Sequence, residues 1–181
     1  MLRICISGFT DTGKTSIGNA ISKDLNIMHI TKYGSAAYKD FKKTETQGNE
    51  VYNILQTANK EYADSFDNEV KTLAKNNNCV VTTWIGPWIV EEPTIRVWLY
   101  APFDERARRC SVERKLSIED AKDYVTKKDA INSKAFMDLY GIDVNKRENF
   151  DIEINTGKSK LEETVSLISM LAMGKEKLIF R

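Results

Sequence analysis

Eight residues near the start of the chain, Gly8-Phe9-Thr10-Asp11-Thr12-Gly13-Lys14-Thr15, constrain its fold more than any other feature. They match the pattern G-x-x-x-x-G-K-[ST] and follow a short apolar run, Leu2-Arg3-Ile4-Cys5-Ile6-Ser7, that reads as a strand. Behind them Ile17, Ala20, Ile21 and Leu25 recur at helical spacing, so a helix that buries one stripe opens directly after the loop. A strand, a glycine loop and a helix in this order aim backbone N–H groups at phosphate oxygens. Residues Gly8, Phe9, Thr10, Asp11, Thr12, Gly13, Lys14, Thr15 and Ser16 are therefore the expected phosphate-binding loop for a nucleotide such as ATP. Lys14 would reach the β- and γ-phosphates, and Thr15 would place its hydroxyl on Mg²⁺. Asp11 sets a carboxylate inside a loop built for a polyanion. It is expected to take a left-handed backbone with its side chain turned outward; the alternative is weaker nucleotide binding.

Further strands are expected at Asn26–Ile30, Cys79–Trp84, Arg96–Tyr100 and Phe150–Ile154, the runs at 79–84 and 96–100 being β-branched or aromatic as buried parallel strands are. Helices are expected at about 62–76, 104–114 and 160–173, with Asp104 and Ser117 as N-caps. Strands alternating with helices predict a parallel sheet covered on both faces. Two stretches are longer than a plain crossover needs: the polar segment ~32–60, and ~115–140, which is charged and helical. Excursions at the carboxyl ends of such strands usually cover a ligand site. The tail, Lys175–Arg181, is read as either an edge strand or a loose end.

Composition narrows the function classes. With 27 Lys plus Arg against 26 Asp plus Glu, the net charge of +1 gives no electrostatic reason to expect binding to nucleic acid or a membrane surface. Cys5, Cys79 and Cys110 are far apart and there is one histidine, His29, so a Cys/His zinc site is excluded in practice and reduced thiols are expected. The apolar start is too short for a signal-peptide core or a membrane span. Residues 1–181 are expected to form one cytoplasmic domain acting on small molecules, and no feature sets an oligomeric state.

Several stretches carry a resemblance to a known family. They are Ile6-Ser7-Gly8 leading into Thr12-Gly13-Lys14-Thr15, Trp88, Ala101-Pro102 with Arg106-Ala107-Arg108-Arg109, Tyr140-Gly141-Ile142-Asp143, Phe150 to Thr156, and Glu162-Glu163-Thr164-Val165. On these the chain resembles the nucleoside monophosphate kinases, and most of all the archaeal-type cytidylate kinases. The resemblance implies a P-loop NTPase α/β fold with a five-stranded parallel sheet, an acceptor-binding insert at about 32–60 and a lid at about 115–140. It further implies Mg²⁺-dependent transfer of the ATP γ-phosphoryl group to CMP or dCMP, with Lys14, Arg106 and Lys128 as the catalytic clamps.

The chain also departs from that pattern. Where an arginine is expected four residues after Gly34 it has Tyr38, followed by Lys39; where an acidic residue and Gly-Arg are expected it has Thr82-Thr83-Trp84-Ile85-Gly86-Pro87. The lid offers Lys128, Ser133, Lys134 and Ala135 instead of several arginines, and Glu113-Arg114 reverses the family's Arg-Glu order. Tyr38, Lys39, Asp64, Asp67, Trp84 and Trp88 are the acceptor-side candidates. Against that stand a solvated helix face for Asp64 and Asp67, three apart and so on one side, and core packing for the tryptophans, Trp98 above all. Two further functions stay open: a kinase of a non-nucleotide acceptor, and a nucleotide-binding regulatory protein that has lost transfer.

Overall fold

A computed structural model describes residues 1–31 and 60–179. Five strands, β1 (Arg3–Gly8), β2 (Met28–Ile30), β3 (Cys79–Val81), β4 (Ile95–Tyr100) and β5 (Ile152–Asn155), form one parallel sheet in the order β2-β3-β1-β4-β5. The described helices are α1 (Lys14–Leu25), α2 (Lys60–Asn76), α3 (Gly86–Ile89), α4 (Phe103–Arg114), α5 (Ile118–Tyr140) and α6 (Leu161–Ile179).

Period-two alternation along β1 sorts its side chains between the two faces. Ile4 and Ile6 join Val80, Val97 and Leu99 on one face, which α1 and α6 cover with Ile17, Ile21, Val165 and Ile168. Cys5, Cys79 and Val81 point the other way, against Val70 and Ala74 of α2. Trp98, 1 % exposed, meets Phe9 and Phe150 edge-on with ring centroids 5.3 and 5.1 Å away, and the Arg147 guanidinium lies 3.6 Å from its own ring centroid. Core packing is the correct reading of Trp98.

Local chemistry sets the helix ends. Ser117 caps α5 by accepting the Asp120 N–H at 3.0 Å, and Gly141 closes that helix at φ 66°. Asp104 is not an N-cap: α4 starts at Phe103 after Pro102, and Asp104 and Glu105 lie in its first turn, where they face the positive end of the helix dipole. The third strand is shorter than expected and ends at Val81, before Trp84, because the chain leaves the sheet at Thr82 to line a cleft. The tail to Ile179 continues α6, so neither the edge strand nor the loose end is found there. His29 is held between Asn19 and Thr82 at 2.7 and 2.8 Å, a structural placement, and the three thiols are buried and free. The segment 32–59, with Tyr38 and Lys39, lies outside the described residues.

Trp98→Ala is expected to destabilise the fold by about 3–5 kcal/mol, because it empties the space shared by three aromatic rings. Urea denaturation at neutral pH checks this through a lower midpoint at unchanged m value.

Candidate active site

β1 runs into the glycine loop at the carboxyl edge of the sheet. Gly8 has φ 152°, and a Cβ there would collide with the Leu99 carbonyl oxygen and sit 2.8 Å from Thr12 Oγ1. Only glycine lets the loop leave the sheet at this point. Asp11 (φ 59°) and Gly13 (φ 91°) are left-handed, so the loop curls and delivers Gly13 as the N-cap of α1. That cap has no side-chain hydrogen bond, and the first N–H groups of α1 keep the dipole and donors that an anion takes up.

Lys14 lies partly buried in the mouth of this loop. Its ammonium donates to the Gly8 and Phe9 carbonyls at 2.7 and 2.6 Å and sits 5.4 Å from the Trp84 ring centroid. Burial pushes its pKa down to about 7; Lys128 and Arg106 press in the same direction, and Asp129 and Asp11 oppose them. Thr15 and Ser16 are exposed at the start of α1 and line the same cleft.

Internal anions brace the loop. Asp129 of α5 accepts the Thr10 N–H at 2.9 Å and pairs with Arg106 of α4 at 2.5 Å, and Arg106 also donates to the Thr10 carbonyl at 3.1 Å. Both side chains are largely buried. Behind the loop Arg109 donates to the Thr156 carbonyl at 2.7 Å and to its hydroxyl at 3.2 Å, and that hydroxyl donates to the Thr12 carbonyl at 2.9 Å. Asp11 is left-handed as expected, but its side chain is buried and not turned outward: Oδ1 lies 3.8 Å from Arg114 Nη1.

The cleft in front of the loop has a volume of about 570 Å³. One stripe of α5 walls it at four-residue spacing, Lys128, Asn132, Phe136 and Tyr140. Opposite stand Thr82, Thr83 and Trp84 after β3, with Phe66 and Asp67 of α2. Asp67 is buried beside Tyr140; burial raises its carboxyl above the ordinary range, an effect the Tyr140 hydroxyl partly offsets. Asn132 is 3 % exposed, and its side chain makes no hydrogen bond among the described residues.

Of the residues singled out from sequence, the structure brings Thr10, Asp11, Gly13, Lys14, Thr15, Ser16, Asp67, Trp84 and Lys128 to one cleft. Arg106 does not line it; the guanidinium is spent on Asp129 and Thr10, which makes it a brace. Trp88 packs edge-on against Phe150 at 5.3 Å, and Asp64 is exposed on α2; neither lines the cleft. Sequence reasoning missed Asp129, Asn132, Phe136 and Tyr140 as cleft or loop neighbours, although the four-residue spacing of Lys128, Asn132, Phe136 and Tyr140 was a usable signal. Thr156 carried no such signal.

Comparisons with known proteins agree with this arrangement. Residues 3–158 match the cytidylate kinase-like family. The cytidylate kinase of Pyrococcus horikoshii is 26 % identical over 167 residues, 92 % of this chain and 86 % of that protein. The cytidylate kinase of Thermococcus sibiricus is 29 % identical over 157 residues, 87 % of this chain and 80 % of the relative. Among solved structures, an uncharacterized protein from Eubacterium ventriosum superposes with a TM-score of 0.73 at 14 % identity, covering 95 % of this chain and 98 % of the other. A shikimate kinase from Acinetobacter baumannii gives 0.60 at 16 % identity, covering 96 % and 94 %. The structural likenesses speak for the P-loop kinase fold alone. The sequence match spans the glycine loop, the cleft and the braces behind it, and the chain is a member of the cytidylate kinase-like family.

Proposed function

We propose that the protein transfers the γ-phosphoryl group of Mg-ATP to CMP or dCMP. The observation that carries this reading is the glycine loop with Lys14 at its mouth, opening onto a cleft of about 570 Å³ walled by the α5 stripe. The loop N–H groups and Lys14 would hold the donor phosphates, and Lys128 would add charge from the lid side. Thr15 suits Mg²⁺: its exposed hydroxyl lines the cleft and makes no hydrogen bond among the described residues. No cluster of three or more acidic, histidine or cysteine ligands occurs among the described residues. Mg²⁺ fits a site of one hydroxyl completed by phosphate oxygens and water. The ion, when bound, neutralises charge on the transferring group. On the acceptor side Asp67 and Trp84 are the residues proposed to meet the nucleoside, with Tyr38 and Lys39 as further candidates.

A second reading has its own observation. The cations lining the cleft among the described residues are Lys14, Lys128, Arg109 and Arg114, all near the glycine loop, while the other end of the α5 stripe brings Tyr140 beside Asp67. That end favours hydroxyl and amide groups over a phosphate dianion, so an acceptor with a sugar or alcohol hydroxyl is the competing substrate class. ADP release from Mg-ATP across a panel of monophosphates, nucleosides and sugars separates the two. Turnover with CMP at about 1–100 per second supports the first reading. Turnover confined to unphosphorylated acceptors supports the second, and tight ATP binding with no turnover supports a regulatory protein.

Lys14→Met is expected to abolish transfer with the fold intact. It should also raise the urea midpoint at pH 6, because it removes a partly buried, desolvated ammonium. Lys14 titrates near 7 in the folded protein and at its ordinary 10.5 in the unfolded chain. The penalty is therefore complete below pH 7 and fades as pH rises toward 10.5, so the stability gain should shrink over that window. A folded Lys14→Met protein with near-normal turnover would refute the assignment.

Nucleotide binding should also take up protons. Bound polyphosphate restores charge to Lys14, so calorimetry in buffers of different ionisation enthalpy should show uptake approaching one proton at about pH 8 and little at about pH 6.

A further inference from the structure

Tyr124 lies on α5 one turn before Lys128, and two cations from different helices meet on its ring. The Arg114 guanidinium sits 4.8 Å from the ring centroid and the Lys128 ammonium 5.2 Å. Lys128 donates to the phenol oxygen at 3.2 Å. Two like charges gathered at one ring repel, and the arrangement is favourable only when anions balance it. The anions beside the pair balance it only in part. Asp11 Oδ1 and Glu113 Oε1 approach Arg114 Nη1 to 3.8 and 3.4 Å, yet Nη1 is buried without any hydrogen bond, as is Asp11 Oδ2. A buried guanidinium N–H without a hydrogen bond is a donor available to an acceptor atom. Arg114, Lys128 and Lys14 line the same cleft.

Resting on the reading of that cleft as a phosphotransfer site, we propose that Tyr124 is a positioning residue whose ring and hydroxyl aim Arg114 and Lys128 at the terminal phosphoryl group of the bound donor. Arg114, carried on the last turn of α4, then supplies the planar cation that the lid sequence lacks. Asp11 stands beside that cation at the glycine loop. Preorganised cations act where charge develops, so the contribution falls on the terminal phosphoryl group and not on the nucleoside.

The test compares Mg-ATP with Mg-ADP, because only ATP carries the group that these cations would meet. Tyr124→Leu keeps apolar contact with Cys110, Ala121 and Val125 but removes the ring and hydroxyl. Equilibrium titration should show its ATP-over-ADP preference reduced about five- to tenfold, with ADP affinity within about twofold of the unmodified protein. Tyr124→Phe, which keeps the ring, should lose about twofold of the preference. Arg114→Met should produce the same selective loss, and the double variant Arg114→Met/Tyr124→Leu should lose less than the product of the two singles. With an accepted substrate, Tyr124→Leu should lower kcat about tenfold or more while acceptor KM stays within about threefold. An unchanged ATP-over-ADP preference in a folded Tyr124→Leu protein overturns the proposal, as do losses that multiply in the double variant. If Tyr124→Leu fails to fold, an unchanged preference in Tyr124→Phe overturns it. The nucleotide titrations need no acceptor, so a failure to phosphorylate any acceptor would refute the proposed activity and leave this test standing.

Discussion

Gly8 passes so close to the Leu99 carbonyl that no side chain fits between them, and the position of the whole cleft follows from that contact. β1 lies between β3 and β4, pairing with β4 as far as Gly8 opposite Leu99. The chain therefore leaves the sheet at its centre, where connections diverge to either side and a crevice opens beyond the strand ends. α1 departs from the loop onto one face. β4 continues into α4, which returns Arg106, Arg109 and Arg114 to the loop's flank. The glycine is thus a geometric origin for donors that come from elements far apart in sequence.

Charge in the site is compensated from within. Asp129 takes an N–H of the loop and pairs with Arg106, Asp11 stands beside Arg114, and Lys14 folds back onto two loop carbonyls. Each pairing limits the penalty of holding like charges together in a partly buried cleft. The compensation is uneven: Lys14 is discharged more readily than an ordinary lysine, and Arg114 Nη1 lacks a hydrogen bond. Sites that must receive a polyanion carry such imbalance, and stability elsewhere in the fold offsets it.

The sheet and the loop were legible because their signals are local. The apolar run before Gly8 and the helical stripe at Ile17, Ile21 and Leu25 identify strand, loop and helix without reference to the rest of the chain. The ends of β3 and α6 were misjudged for lack of such signals. Thr82 to Trp84 have good strand propensity but leave the sheet for the cleft, and the tail after Gly174 has no breaker to stop α6. The site was less legible than the fold, because its chemistry depends on pairings between distant residues. The pairing of Arg106 with Asp129, 23 residues away, leaves no mark in a local pattern. The Arg109 brace depends on Thr156, 47 residues further on.

The stripe on α5 also works as a ruler. Lys128 and Tyr140 stand twelve residues apart on one unbroken helix, so about 18 Å separates a cation facing the glycine loop from a phenol at the far end of the cleft. A helix does not stretch, and the two ends cannot adjust to a ligand independently. A pair of ligands too short to span that length leaves one end unmatched when the helix seats on the loop, and a pair too long keeps the helix from seating. Size selection would then need no dedicated residue: it would be a property of one rigid rod touching both ends of its cargo at once.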